Sequence, residues 1–479
     1  MKKCNFALNT VKASVAAVLL CAFGMASCTS DPLNEETWTP SVRNAQVESP
    51  KSDDITVVAN AGGSTQTVAW PVVNGAGGYQ VVLTDVGSNE VIADSLVDGC
   101  SVVFPREEDV NYKVSVLAKG NAKYNNTDAA EATVKEFSTF TPTYKTIPAG
   151  DLNEWFAANP IPEDMKGENI NFDLIGGEKY TVSDKLDFDG FSVTLRSTSK
   201  TNHATVEYAT EKSEINFTAA FNAKYLDFDC HGMSGSKGVF GFSTATTVPV
   251  AEGFSFSIIE DPIVIANCNF DNVNGYFFWD NKAKTAAKTV LINNVVCHLT
   301  PNRAVEAVIW TNKAGHINDF TCQNSTFYNL DEANDCKYFY QAGMYRAKDI
   351  GAPTNSVNYK NSTFYRIGWN GGQWGNYNGM QGKDDSFWVM TDCIFFGCSE
   401  SGGVPRRFLH GQSGRQNTYT FSNNTYMALD GTFQPVGNYD ISGTQIEEDP
   451  QFANPAAGDF HISGATQLAR RTGDPRWLP

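Results

Sequence analysis

Apolar and polar residues alternate over short segments in the first third of the chain, as they do in half-buried β-strands. Segments 79–83 and 112–117 are examples, and turns rich in Gly, Asn and Asp separate them. Because a strand has a period of two, one side chain enters the core and the next faces solvent. We therefore predict a small antiparallel β-sandwich over residues 51–141. The large side chains expected in its core are Trp70, Tyr79 and Tyr112.

From residue 142 to the C-terminus, a repeat replaces simple alternation. Each copy has an Asn or Asp, an apolar residue three positions later, and a second apolar residue three positions after that. Six copies begin at Asn267, Asn293, Asn324, Asn361, Asp392 and Asn423, and a seventh copy upstream spans 227–233. The intervals between the six are uneven, at 26, 31, 37, 31 and 31 residues.

A turn asparagine that recurs at uneven intervals is typical of a parallel β-helix. Asparagine tolerates the left-handed backbone conformation, and its amide can hydrogen-bond to the asparagine of the next coil. The signatures of leucine-rich repeats and of propeller blades are absent. We predict an all-β chain in which a single-stranded parallel β-helix with a C-terminal cap occupies residues 142–479. Residues 151–156 are predicted to form a short helix that covers the open end of its core.

A second strand follows each repeat and carries large side chains in two adjacent columns. Phe278, Ile309, Phe339, Gln373 and Phe408 form the more apolar column, which we expect in the core. Their neighbours are then expected to face outward, because successive side chains alternate. These outward residues are Trp279, Trp310, Tyr340, Trp374 and Leu409, and Arg407 shares their face. The hypothesis is an exposed aromatic ladder that stacks on sugar rings; the alternative is a slip of one residue, which would bury the tryptophans.

The first 27 residues form a targeting segment that lies outside the fold. Lys2, Lys3 and Lys12 precede an apolar stretch over 15–23 that is too short for a confident membrane span. The stretch ends in Met25-Ala26-Ser27-Cys28. This ending resembles the bacterial lipobox, which implies that Cys28 carries the lipid; ordinary secretory cleavage after Ala26 or Ser27 is the alternative.

Residues 28–50 are polar, contain several prolines and lack periodicity, so we predict a flexible tether. The acidic residues Asp31, Glu35 and Glu36 resemble the export signal of Bacteroidetes surface lipoproteins. That resemblance implies the outer membrane, on the side facing outside the cell. In this interpretation the lipid is the chain's only attachment to the membrane.

The net charge and the cysteine pattern argue against several classes of function. With 36 Lys and Arg against 53 Asp and Glu, the net charge is −17, which argues against binding nucleic acid or anionic lipid through a basic surface. Eight cysteines follow Cys28, without Cys-x-x-Cys pairs or Cys/His clusters, so we expect neither a metal site nor a resident cofactor. Buried thiols are the favoured interpretation, with one or two disulfides, such as Cys322 with Cys336, as the alternative.

Basic residues concentrate in three successive repeats of this acidic chain. They are Arg346 and Lys348, then Arg366 and Lys383, then Arg406, Arg407 and Arg415. Because a guanidinium matches a carboxylate in geometry, the cluster could hold uronate groups. Solvated charges paired with Asp384, Asp385 or Glu400 are an equally good interpretation.

Three resemblances extend these predictions. The succession of a Trp strand, a Gly-Gly-Tyr strand and a Tyr-x-Val-x-Val strand, at 65–70, 77–83 and 112–117, resembles fibronectin type III domains. The repeats resemble the pectate-lyase-like right-handed β-helix, and the ending at 449–477 resembles Bacteroidetes lipoproteins from glycan-uptake loci. What these resemblances imply is a polysaccharide ligand, often a plant pectin, and an outer-membrane glycan transporter complex as partner.

Three functions remain open on the sequence: non-catalytic glycan capture, a polysaccharide lyase or hydrolase, and a surface adhesin. A lyase needs a base and a cation that neutralises the uronate, with Ca²⁺ as one choice. Lys383, Arg346 and His410 are the candidate bases, and Arg407 is the candidate neutraliser. The Gly-His-Gly and Arg-Ile-Lys motifs of polygalacturonases and the Arg-x-Pro-x-x-Arg motif of one pectate lyase family are absent. We therefore favour capture.

Overall fold

The structure is a computed structural model of the whole chain, and it describes residues 43–60, 65–245, 249–301, 305–343, 345–377, 380, 386–411 and 418–479. The predicted lipidation site Cys28 and the candidate base Lys383 lie outside these residues. The chain divides into two compact units, Met1–Thr141 and Pro142–Pro479. Within the described residues, no helix has the length and apolar character needed to cross a membrane.

Two antiparallel sheets share one core in the first unit. The three-stranded sheet contains Thr56–Ala59, Thr65–Ala69 and Ser101–Pro105. The four-stranded sheet contains, in spatial order, Val91–Val97, Ala76–Asp85, Asn111–Gly120 and Thr133–Ser138. Trp70, Tyr79 and Tyr112 are buried, and the Trp70 ring meets the Tyr79 ring edge-on at 5.2 Å.

Three long sheets, in which every pair of neighbouring strands is parallel, build the second unit. The first sheet contains Lys145–Ile147, Asn169–Leu174, Ser192–Ser197, Phe221–Lys224, Ile263–Ala266, Thr285–Asn293, His316–Gln323, Ser356–Lys360, Trp388–Thr391 and Tyr419–Ser422, and Ser257–Ile259 pairs with one of these strands. The second contains Gly150–Asp151, Lys179–Val182, Ala204–Tyr208, Leu226–Asp229, Asn269–Val273, Val296–Leu299, Thr326–Asn329, Thr363–Tyr365, Ile394–Phe396 and Thr425–Met427. The third contains Lys185–Phe188, Glu214–Phe217, Gly238–Phe242, Tyr276–Trp279, Val305–Thr311, Cys336–Ala342 and Gln373–Asn376. The unit is a parallel β-helix; its right-handedness stays a prediction.

Helices are few and short among the residues that the structure describes. They are the α-helices Leu152–Ala158, Val404–Phe408 and Ala465–Arg470 and the 3₁₀ turns Ser52–Asp54, Ala122–Tyr124, Glu163–Met165, Ala347–Ile350, Pro455–Ala457 and Pro475–Trp477. The first α-helix begins where the sequence predicted a cap, with the Asp151 carboxylate accepting from the Glu154 N–H at 3.0 Å. Its Trp155 and Phe156 rings pack on Phe172 and so cover the open end of the core.

The turn asparagines of the repeat adopt the predicted left-handed conformation. Positive φ angles occur at Asn267, Asn294, Asn324, Asn361, Asp392 and Asn423. One copy is therefore shifted by one residue from the predicted start at Asn293, so that Cys297, rather than Val296, pairs with Phe270. The upstream copy is also shifted, because the left-handed residue is Tyr225 and Phe228 pairs with Phe270.

Amides and rings link successive coils of the β-helix. The Asn294 amide donates to the Asn267 side-chain oxygen at 2.6 Å, and Asn423 donates to the Asp392 carboxylate at 2.9 Å. Inside, the aromatic residues three positions after these turns stack in register. These ring pairs are Phe228 with Phe270, Phe327 with Phe364, Phe364 with Phe395, and Phe395 with Tyr426.

The C-terminal segment packs against the outer face of the second sheet. It forms an antiparallel pair, Phe452–Asn454 with Asp459–Ile462. The Asp474 carboxylate accepts from the Thr326 hydroxyl at 2.8 Å, and the Trp477 indole donates to the same hydroxyl at 2.7 Å. The motifs at 449–477 therefore cover a sheet face.

All eight described cysteines are free thiols, and seven of them are buried. Cys322 and Cys336 are thus unpaired, which agrees with the favoured interpretation. Burial raises the pKa of Cys268 to about 12, so this thiol stays protonated at neutral pH.

Candidate functional site

On the outer face of the third sheet, one residue from each of the seven strands lies in a single aligned column. Strand pairing aligns Asp187, Asn216, Gly241, Trp279, Trp310, Gln341 and Asn376. Phe278, next to Trp279, packs inside against Phe217 and Phe242, so the aligned residues point outward. At the usual strand spacing, this outer column is about 29 Å long.

The structure corrects the predicted aromatic ladder at Tyr340 and Trp374. Strands of this sheet place two adjacent residues inward, as Phe339 and Tyr340 show: Phe339 contacts Phe327 and Tyr340 contacts Phe320. Strict alternation fails at this bend, so Tyr340 aligns with Ile309 instead of Trp310.

Trp374 also belongs to the core. It is fully buried and contacts the rings of Phe339, Tyr359, Phe364 and Phe395. The hypothesis that Trp374 and Tyr340 face a ligand is therefore wrong, whereas Trp279 and Trp310 do lie on the outer face.

The two outward tryptophans stack with Tyr276 instead of presenting open ring faces. Tyr276 is parallel to Trp279 at 5.6 Å and to Trp310 at 5.0 Å. Trp279 and Trp310 are only 8% and 6% exposed. Because the ring faces contact one another, the stack offers edges to solvent, and broad sugar stacking on several rings is not available.

Lysines border this aromatic stack. The Lys237 ammonium lies 5.8 Å from the Trp279 ring centre, and the Lys313 ammonium lies 5.7 Å from that of Trp310. These are cation–π distances. The ammonium groups of these two lysines therefore lie beside the outer column.

A surface cavity of about 450 Å³ adjoins the column at its N-terminal end. Its lining residues are Asp184, Lys185, Lys212, Glu214, Lys237, Thr244 and Asn281. The lysines pair with carboxylates, Lys237 with Glu214 at 2.9 Å and Lys185 with Asp187 at 3.1 Å. The cavity therefore combines cations, carboxylates, a hydroxyl and an amide.

Several polar atoms at this end are buried without a hydrogen-bond partner in the described part of the chain. They are the Asp187 Oδ1, the Glu214 Oε2, both amide atoms of Asn216 and the Trp279 Nε1. Buried polar atoms in folded proteins are nearly always hydrogen-bonded, to protein, water or ligand. This concentration of donors and acceptors suits a ligand rich in hydroxyl groups.

Asp280 fixes the loop beside the cavity. Its fully buried carboxylate accepts backbone N–H bonds from Lys313, Ala314 and Gly315 at 2.7, 2.9 and 3.1 Å. The other oxygen accepts from Lys282 at 2.9 Å. These four bonds make Asp280 a structural residue that holds Asn281 in place.

The remaining described catalytic candidates lie at helix and turn positions outside the third sheet. Arg407 was predicted on a strand, but it lies on the helix Val404–Phe408, where its Nε donates to the Ser401 carbonyl at 3.1 Å. Burial and the neighbouring Arg406 lower the pKa of Arg407. Arg346 precedes the 3₁₀ turn Ala347–Ile350, and His410 follows the Arg407 helix.

A row of histidine and carboxylate pairs lies on the second sheet. His203 is 2.9 Å from Asp227, and His298 is 2.7 Å from Asp271. Burial acts against ionisation of Asp227, but hydrogen bonds from His203 and Asn269 hold its pKa below the usual value. In the described ranges, no group of three or more His, Cys, Asp or Glu residues is arranged to hold a metal. We interpret this row as structural.

The sequence pattern did not identify the cavity residues Lys185, Glu214 and Lys237 or their buried neighbour Asn216. A signal was present, because Lys185-Leu-Asp-Phe188 and Glu214-Ile-Asn-Phe217 alternate charged or amide residues with apolar ones. Both segments lie before the first clear copy of the repeat, so the repeat could not be used to align their strands. Their polar residues could otherwise have been placed on one face.

Three family models match successive parts of the chain, and each describes a domain of unknown function. They are DUF4992 over residues 1–177, DUF4957 over 178–330 and DUF5123 over 320–477. A pectate lyase from Pectobacterium carotovorum is 12% identical, with a TM-score of 0.26 over 83% of this chain and 98% of that one. A family 28 exopolygalacturonase from Yersinia enterocolitica is 8% identical, with a TM-score of 0.16 over 73% and 92%. No curated protein matches this chain.

Proposed function

We propose that the chain is a surface lipoprotein of the outer membrane that captures a uronate-rich, pectin-like polysaccharide for uptake. Cys28 carries the lipid anchor, and a fibronectin III-like module follows it in the sequence as a spacer. The captured glycan passes to an outer-membrane transporter complex. The β-helix binds the glycan along the outer face of its third sheet.

The cavity beside Glu214 and Asn216 is the observation that carries this proposal. A sugar unit presents hydroxyl groups that both donate and accept, and the site offers unpaired partners of both kinds in Asn216 and Glu214. Lys185, Lys212 and Lys237 supply ammonium groups for a uronate, although the chain as a whole carries a net charge of −17.

The length of the outer column supports a polymer instead of a single small molecule. A column of aligned residues about 29 Å long would span several sugar units. The column begins with Asp187 and Asn216 and ends with Gln341 and Asn376, so amides or carboxylates occur at both ends. The aromatic stack between them is bordered by Lys237 and Lys313.

The spacer assignment is supported by the first unit itself. Its sheets have three and four antiparallel strands. The Tyr112 hydroxyl accepts from the Glu107 N–H at 3.0 Å, as a corner tyrosine would.

Replacing Lys237 with alanine is expected to weaken glycan retention at least about tenfold, because a charge-assisted hydrogen bond contributes roughly 1.5–3 kcal/mol. The measurement is affinity-gel retention of residues 29–479 on homogalacturonan and on a panel of neutral glycans. Lys288→Ala is the matched control, since Lys288 pairs with Glu260 on the first sheet. Equal retention of wild type and Lys237→Ala would contradict the proposed site, and absorbance from unsaturated products would assign a lyase instead.

A further inference from the structure

Asn216 is an unusual asparagine in this fold. It is fully buried, yet neither its Nδ2 nor its Oδ1 has a hydrogen-bond partner among the described residues. Asn424 is equally buried, but its Oδ1 accepts from the Cys393 N–H at 3.0 Å and its Nδ2 donates to the Met390 carbonyl at 2.7 Å. Both polar atoms of the buried Asn424 side chain are therefore hydrogen-bonded, whereas, in the part of the chain that the structure describes, neither polar atom of the Asn216 side chain is.

Glu214, two residues before Asn216, has the same property. It is 2% exposed and lines the cavity, with Oε1 bound to Lys237 and Oε2 without a partner in the described ranges. Leaving such groups buried and unpaired costs folding free energy. Polar groups that a fold leaves unsatisfied beside a cavity are candidates for ligand contact.

The Trp279 indole lies next to Asn216. A Cβ atom placed on Gly241 would lie 2.5 Å from the indole Nε1 and 2.9 Å from the Asn216 Oδ1, so both atoms border the same space. A Cβ on Gly238 would lie 2.3 Å from the indole Cδ1. The two glycines therefore form the flat surface on which the ring lies, and the Lys237 ammonium lies beside the ring.

We propose that Trp279 is a lid over a sugar subsite formed by Asn216 and Glu214. The inference rests on the proposed function and adds how the ligand enters. When a hydroxyl-bearing sugar unit arrives, the indole leaves Gly238 and Gly241, and the Asn216 amide and the Glu214 Oε2 bond to the sugar hydroxyls. Lys237, already bound to Glu214, keeps the carboxylate in place.

The test compares Asn216→Leu with Trp279→Ala. Asn216→Leu is expected to lower glycan affinity at least tenfold while the thermal unfolding temperature stays equal or rises, because leucine fills the space without unpaired polar atoms. Trp279→Ala is expected to bind within about threefold of wild type, with faster association, because the lid is gone. If Trp279→Ala does not fold, Trp279→Leu removes the same ring with a smaller loss of volume and takes its place.

Three results would overturn the lid. The first is wild-type affinity in Asn216→Leu. The second is an equal loss of affinity in both variants, which would make the indole a sugar-contacting surface. The third is a lower unfolding temperature of Asn216→Leu without ligand, which would mean that the amide is bonded within the folded protein. This last measurement needs no glycan. It therefore tests the lid proposal even if no glycan of the panel binds and the proposed function is wrong.

Discussion

Replacing Trp374 with alanine is expected to lower the free energy of unfolding of the β-helix unit by about 3–5 kcal/mol. The side chain is fully buried, and its ring is parallel to Phe339 at 4.8 Å and contacts Phe364 at 4.9 Å. Truncation would leave a cavity that the surrounding strands cannot close, because their backbones are fixed by the parallel sheets. The variant would therefore be less stable than wild type even if it still bound a ligand.

Urea unfolding, followed for the transition of the second unit, measures this effect. Trp369→Ala is the matched control, because Trp369 lies in the loop of the same coil, partly exposed, with the Arg366 guanidinium 4.5 Å from its ring. A shift of similar size in both variants would contradict the placement of Trp374 in the core.

Lowering the pH from 6.5 to 4 is expected to destabilise the β-helix through His316 by about 3 kcal/mol. Burial lowers the pKa of His316 to about 4, although Asn318 and Asp349 act in the opposite direction. In this window the unfolded chain holds a proton on His316 that the folded chain does not hold. Added protons therefore favour unfolding, and stability falls as the pH falls.

His316→Phe provides the comparison, because Asp335 titrates in the same window with the opposite sign. Burial raises the pKa of Asp335 to about 6, so its contribution to stability increases as the pH falls. From pH 7 to pH 4.5 the urea midpoint of His316→Phe should therefore rise relative to the change seen in wild type, because the variant keeps the stabilising protonation of Asp335 and lacks the destabilising protonation of His316. An identical pH dependence in the two proteins would refute the buried neutral imidazole.

The architecture of the second unit was predictable because its repeat depends on local chemistry. Asn267, Asn324, Asn361, Asp392 and Asn423 occupy left-handed positions that the sequence pattern identified. The pattern missed the shift at Asn294, because two adjacent asparagines carry the same local signal. A choice between them depends on the pairing of Cys297 with Phe270, which is a long-range contact.

The outer face was harder to predict, since the faces of the third sheet do not alternate strictly. Phe277 and Phe278 both enter the core, and the next residue, Trp279, lies outside. A period of two placed Trp279 and Trp310 correctly but assigned Tyr340 and Trp374 to the wrong face. The bend that causes this depends on the packing of three sheets, which no single segment encodes.

Lysine footprinting tests most directly whether the third sheet binds the glycan. Mild acetylation of residues 29–479, followed by mass spectrometry, is compared with and without the glycan that the affinity gel identifies. Lys212, whose side chain is 77% exposed, and its cavity neighbours Lys185 and Lys237 should react more slowly in the complex. Lys288 on the first sheet should react at the same rate in both states. Protection of Lys288, with unchanged reactivity of Lys212, Lys185 and Lys237, would contradict the account.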